Sequence, residues 1–134
     1  MLTSDIEKRL EQDGEFDENL IKENLCPDLG DFLNACIERA GMSRADCISA
    51  LDLDRSYGYQ ILNGTRIPTR ECLIRMGLLL GLSVDDFQRM LNIAGRHSLY
   101  VKNTLDAKVF YAIKHKMNYK DAVAFVWENA ADEI

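Results

Sequence analysis

Proline is scarce in this 134-residue sequence, occurring only at Pro27 and Pro68, and β-branched residues never form alternating runs. Together these shortages disfavour strands and leave helices as the expectation. No apolar stretch approaches the ~20 residues that span a bilayer. The opening Met1-Leu2-Thr3-Ser4-Asp5 has neither the basic flank nor the apolar segment of a signal peptide. The four cysteines, Cys26, Cys36, Cys47 and Cys72, stand ten or more residues apart, so no C-x-x-C pair suggests a zinc ribbon or a redox motif. They read as reduced, mostly buried thiols of a cytoplasmic protein.

Catalytic signatures are missing as well. No nucleophile elbow, phosphate-cradling glycine loop, HExxH or paired-carboxylate pattern occurs. His97 and His115 are isolated, and His115 sits with Lys114 and Lys116 at an expected helix C-terminus, where the helix macrodipole favours cations. The sequence therefore predicts a protein that is not an enzyme, with no cofactor, no metal and no membrane segment.

A basic balance is lacking too, since the net charge is −6, whereas a nucleic-acid binder usually carries a basic face. The charge is unevenly spread, however. Residues 1–38 hold eleven acidic and three basic side chains, whereas residues 39–75 hold six arginines against four acids. Residues 76–134 hold seven of each. The whole-chain charge hides a local basic patch.

What is present is helical grammar. Apolar residues make up 47% of the chain, enough for a packed core. Residues 4–25 read as one or two acidic helices, with Ser4 and Glu7 as a capping box and Gly14 as an interruption. A helix follows from Pro27, with Asp28 as its N-cap, Asp31 in its first turn, an apolar stripe through Phe32, Leu33, Cys36 and Ile37, and Gly41 at its end. Ser43, Asp54, Thr69 and Ser83 cap four more helices. The one running to Leu80 is apolar nearly all round, so it is expected at the centre. Two further helices are expected at about 105–114, capped by Asn103 or Thr104, and about 119–129, capped by Asn118. The expected fold is all-α. An acidic helical arm (1–27) precedes a helix-turn-helix domain (28–95), and a C-terminal helical hairpin (96–134) packs on that domain or forms a dimer interface. Phe110, Tyr111, Tyr119, Phe125 and Trp127 give the hairpin its aromatics.

The informative stretch is 42–69, MSRADCISALDLDRSYGYQILNGTRIPT. Two short helices meet at a tight corner, Asp52-Leu53. On the second, Arg55, Ser56, Tyr59, Gln60 and Asn63 share one side by steps of three or four, and Gly58, Ile61 and Leu62 share the other. The outer side donates and accepts hydrogen bonds and carries no carboxylate after the cap, which suits the edges of bases in a major groove.

These residues resemble the Cro and phage-repressor-like (XRE-type) helix-turn-helix family, over about residues 29–94. The most specific part is the run Asp54 to Thr69, with its Asn63-Gly64, Arg66, Pro68, Thr69 succession, and the Leu80-Gly81-Leu82-Ser83 junction matches as well. The resemblance implies a five-helix, lambda-repressor-like domain that binds double-stranded DNA as a transcriptional regulator, typically a repressor acting as a homodimer. It implies base contacts from Arg55, Ser56, Tyr59 and Gln60, and phosphate contacts from Arg44, Asn63, Thr65 and Arg66. Two departures stand out. The family has a small residue where this chain has Ile48 and a bulky aliphatic where it has Gly58, as if the volumes had been exchanged. The family's turn glycine is Asp52 here, a residue that tolerates the left-handed conformation better than most.

A second class of function stays open: a protein-interaction adaptor or antitoxin-like module that keeps the fold without binding DNA. Its support is the acidic arm, residues 5–23, which is also a candidate protein-docking or autoinhibitory segment.

Overall fold

Short polar side chains decide where the helices begin. The computed structural model describes residues 27–128, and within them every regular element is helical. The arm expected over 4–25, and residues 129–134, lie outside the described residues. Helix α1 spans Pro27–Arg39. The Ser43 hydroxyl accepts from the Asp46 amide at 3.0 Å and opens α2, Arg44–Ala50. Asp54 accepts from Tyr57 N at 3.1 Å and opens α3, Arg55–Leu62. Thr69 and Ser83 do the same for α4, Arg70–Leu80, and α5, Val84–Ile93. Asn103 caps α6, Thr104–Lys114, and Asn118 caps α7, Tyr119–Val123. Each cap satisfies an N–H group that has no partner within its own helix.

Two helix boundaries differ from those the sequence suggests. Asp28 is not the cap of α1, because the helix already includes Pro27 and Asp28 falls in its first turn. Proline suits the first helical position, since its fixed φ is helical and its missing N–H leaves no orphan there. Asp28 then acts on the helix dipole instead. The last helix is not regular to its end: α7 passes at Ala124 into a wider π-type turn over Ala124–Glu128.

The core forms where these helices cross. Helix α1 packs on α2, α3 and α5, while α4 packs on α5, α6 and α7. Leu73, Ile74, Met76, Gly77, Leu78 and Leu80 of α4 are all buried, and Gly81 closes that helix at φ 66°. Val109 and Ala112 of α6, with Ala122 and Val126 beyond, join the same apolar cluster as Leu33, Ile61, Phe87 and Met90. The C-terminal helices are thus packed on the rest of the chain through α4.

A polar clamp reinforces that packing. Arg70, the first residue of α4, grips the Asp106 carboxylate of α6 with two parallel hydrogen bonds of 3.0 and 2.8 Å. It also donates to the carbonyls of His97 and Ser98, at 3.0 and 3.2 Å. Arg96 donates twice to the Pro68 carbonyl, at 3.2 and 2.8 Å. Sequence alone places Arg70 with the arginines of the basic patch, but the fold turns it inward onto a carboxylate. Arg39 and Arg75 are ion-paired as well, with Asp86 and Glu71. No helix among the described residues is long and apolar enough to cross a membrane.

Candidate nucleic-acid interface

The corner between α2 and α3 is built by backbone bonds and one left-handed residue. Leu51, Asp52 and Leu53 donate their N–H groups to the carbonyls of Cys47, Ser49 and Ile48 at 3.0–3.2 Å. Asp52 takes φ 55°, the conformation the turn demands. Helix α3 therefore leaves α2 after only a few residues. Its Gly58, Ile61 and Leu62 are buried, whereas Arg55, Ser56 and Asn63 are exposed and Tyr59 and Gln60 half-exposed. The described chain leaves the polar ridge uncovered.

Contacts outside the helix fix the far end of α3. Asn34 Nδ2 of α1 donates to the Leu62 carbonyl, 28 residues away, at 2.9 Å. Gly30 lies one turn earlier on α1, and a β-carbon there would stand 2.8 Å from that same carbonyl and 3.0 Å from Gly64 N. Helix α1 thus presses directly on the end of α3, which only glycine permits. Neither residue stands out as functional in the sequence. A glycine inside a helix costs about 1 kcal/mol relative to alanine, so Gly30 does carry a signal that a packing reason exists. Asn34 carries none.

The side chains of the ridge organise one another. The Arg55 guanidinium lies over the Tyr59 ring, 5.8 Å from its centre. Arg66 Nε donates to Gln60 Oε1 at 3.1 Å, and the same guanidinium sits 5.9 Å above the Tyr57 ring. The Thr65 hydroxyl and N–H both donate to the Gln60 carbonyl, at 3.1 and 3.0 Å. Gln60, Thr65 and Arg66 therefore form one unit, with Tyr57 as an unforeseen member. Asn63 is the C-cap of α3, its backbone N–H donating to the carbonyls of Ile61 and Tyr59. Arg44 stands apart at the start of α2, exposed, with no hydrogen bond or ion pair to the other candidates among the described residues.

A hollow of about 390 Å³ at the α2–α3 corner, lined by Ile48, Asp52, Leu53, Arg55 and Tyr59 among others, borders the ridge on one side. A separate apolar cleft of about 880 Å³, lined by Leu82, Val84, Phe87, Phe110, Ile113 and Met117 among others, shares no residue with it. Among the described residues no group of three His, Cys, Asp or Glu side chains comes together as a metal site would require. Burial pushes the thiols of Cys36, Cys47 and Cys72 upward, Cys47 to about 11, which holds them protonated and weakly nucleophilic near neutrality. Comparison with protein-family models, with curated proteins and with solved structures finds no match to this chain.

Proposed function

We propose that this protein is a sequence-specific double-stranded DNA-binding regulator with a five-helix, lambda-repressor-like domain formed by α1 to α5, in which α3 enters the major groove. The observation that carries this reading is the uncovered polar ridge of α3, set off from α2 by the left-handed corner at Asp52. Arg55 fits the two acceptors of a guanine edge and Gln60 the donor and acceptor of an adenine edge, with Ser56 and Tyr59 beside them. Arg44, Asn63, Thr65 and Arg66 serve the flanking phosphates. Arg66 then has two tasks, because its Nε also orients the Gln60 amide.

The regulator acts as a homodimer and a repressor in this reading, with paired recognition helices about 34 Å apart on successive turns of DNA. Tyr111, 51% exposed on α6, is an aromatic of the kind that anchors such interfaces. The alternative, an adaptor or antitoxin-like module that binds a protein, draws its support from the acidic segment 5–23 in a chain of net charge −6. Selection of bound duplexes from random DNA by the purified full chain, at two salt concentrations, separates the two. DNA reading requires an enriched site and a steep loss of binding with salt. Failure of any duplex to enrich at low salt rejects it.

A further inference from the structure

The loop joining α5 to α6 lies against the segment that follows α3. Arg96 is bonded to the Pro68 carbonyl, and Arg70 to the carbonyls of His97 and Ser98. Farther along, Tyr100 N donates to Asp106 Oδ2 at 2.9 Å, and Asp106 is the carboxylate that Arg70 grips. Gln88 holds Leu99 from the opposite side, donating to its carbonyl at 3.1 Å and accepting from its N–H at 2.7 Å. The loop is thus fastened from Arg96 to Tyr100, against Pro68 and Arg70 on one side and Gln88 on the other.

Its composition runs against the rest of the chain. Between α5 and α6, residues 94–103 hold Arg96, His97 and Lys102 but no acidic residue, in a sequence with 22 acids. Loop residues Arg96, His97, Ser98 and Lys102 are exposed. Tyr100 and Val101 are 59% and 64% exposed, unusual for large apolar side chains on a loop held this firmly. Asp106, the carboxylate that follows, is buried and already paired with Arg70, so its charge is neutralised locally. A pinned, cationic, acid-free loop with an exposed phenol is what a polyanionic backbone favours.

We infer that the 96–103 loop is a second DNA-binding element, contacting the sugar-phosphate backbone beside the phosphates held by Thr65 and Arg66, with Lys102, His97 and the Tyr100 hydroxyl as the contacting groups. This rests on the DNA-binding reading above and extends it by one surface. The element carries no base specificity, because it meets phosphates only. It lengthens the footprint of each protomer along the duplex and adds to affinity for every sequence alike. It adds the cationic side chains of Arg96 and Lys102 to those of Arg55 and Arg66 in a chain of net charge −6.

The test uses the full-length protein and a selected duplex in two lengths, one ending at the contacted half-site and one extending a helical turn beyond it. Lys102→Ala should lower affinity several-fold on the long duplex and reduce the slope of log K against log salt by about 0.9, the contribution of one neutralised phosphate. Lys102→Arg should restore both. Tyr100→Phe should weaken binding to the long duplex without altering the slope or the ranking of sequences. The backbone-cleavage footprint should shrink by the flanking phosphates in Lys102→Ala and keep its base-specific centre. Arg66→Ala, measured in parallel, reports on the recognition site alone. If Arg66→Ala lowers affinity and slope while Lys102→Ala and Tyr100→Phe match the wild type on both lengths, the loop is not a DNA element and the recognition reading survives. If the wild type binds no duplex, both readings fall together.

Discussion

Ile48 and Gly58 meet where α2 crosses α3: a β-carbon on Gly58 would lie 2.7 Å from Cγ1 of Ile48 and 2.8 Å from its Cδ1 and Cγ2. Ile48 is 5% exposed, so the isoleucine fills the space that a side chain at 58 would otherwise take. Ile48 and Gly58 are thus complementary in volume, and their contact limits how closely α3 approaches α2. Gly58→Val should destabilise the protein by about 1–3 kcal/mol through overpacking. Ile48→Ala alone should cost about 2–5 kcal/mol through the cavity it opens. Combined, the two should cost well below their sum, with a coupling of about 0.5–3 kcal/mol. A double-mutant cycle by urea denaturation measures this, and strictly additive losses would refute the complementarity of the two positions.

Gly30 differs from Gly58 in what opposes it. Its missing β-carbon faces the backbone atoms Leu62 O and Gly64 N at 2.8 and 3.0 Å, and these cannot yield by a rotamer change. Gly30→Ala must therefore displace the end of α3 or the whole of α1. We expect a stability loss of about 1–3 kcal/mol. Because α3 carries the ridge, the proposed DNA reading expects base discrimination to deteriorate even at temperatures where the variant stays folded. Retained discrimination in a folded Gly30→Ala protein would show that α1 does not set the pose of α3.

These cases mark what a sequence of this kind discloses. The caps Ser43, Asp54, Thr69, Ser83, Asn103 and Asn118, the left-handed corner at Asp52 and the two faces of α3 all depend on neighbours within four residues, and local pattern encodes those well. The crossing of Ile48 and Gly58 is visible in the sequence only through the family resemblance, which pairs the two positions. Arg70 with Asp106, and Asn34 with Leu62, are 36 and 28 residues apart and leave no periodic trace. Arg70 is therefore indistinguishable, by sequence, from the surface arginines around it. The coupling of Arg66 to Gln60 is hidden for a related reason: it spans a loop, where helical spacing gives no guide.

The clamp itself should respond asymmetrically to mutation. The Asp106 side chain is 4% exposed and that of Arg70 27%. Arg70→Ala strands a buried carboxylate and should cost about 3–5 kcal/mol. Asp106→Ala should cost less, since a partly exposed arginine can swing its head to water along its aliphatic stem. The double variant should lose less than the two single losses combined. Equal and additive losses, measured by chemical denaturation, would mean that the pair contributes no more than its separate packing.

Cys47 supplies a pH test of the core. Burial, with a smaller contribution from Cys72, raises its thiol from 9.0 to about 11. The folded state therefore keeps a proton that the unfolded chain releases first. That stability is complete below about pH 9 and is lost as pH climbs through about 11, because between these values the unfolded state binds fewer protons. At 1.36 kcal/mol per pKa unit the loss amounts to about 2–3 kcal/mol. Cys36 and Cys72 shift in the same direction, so Cys47→Ala should remove only its own share of the alkaline decline. Unfolding free energies of wild type and Cys47→Ala between pH 8.5 and 11 check this at about half-unit steps. The difference between the two should narrow as pH rises, since the wild type forfeits a contribution that the variant never had. Parallel curves would place the Cys47 thiol in contact with solvent in the folded protein, and rapid labelling by a thiol reagent at neutral pH would say the same.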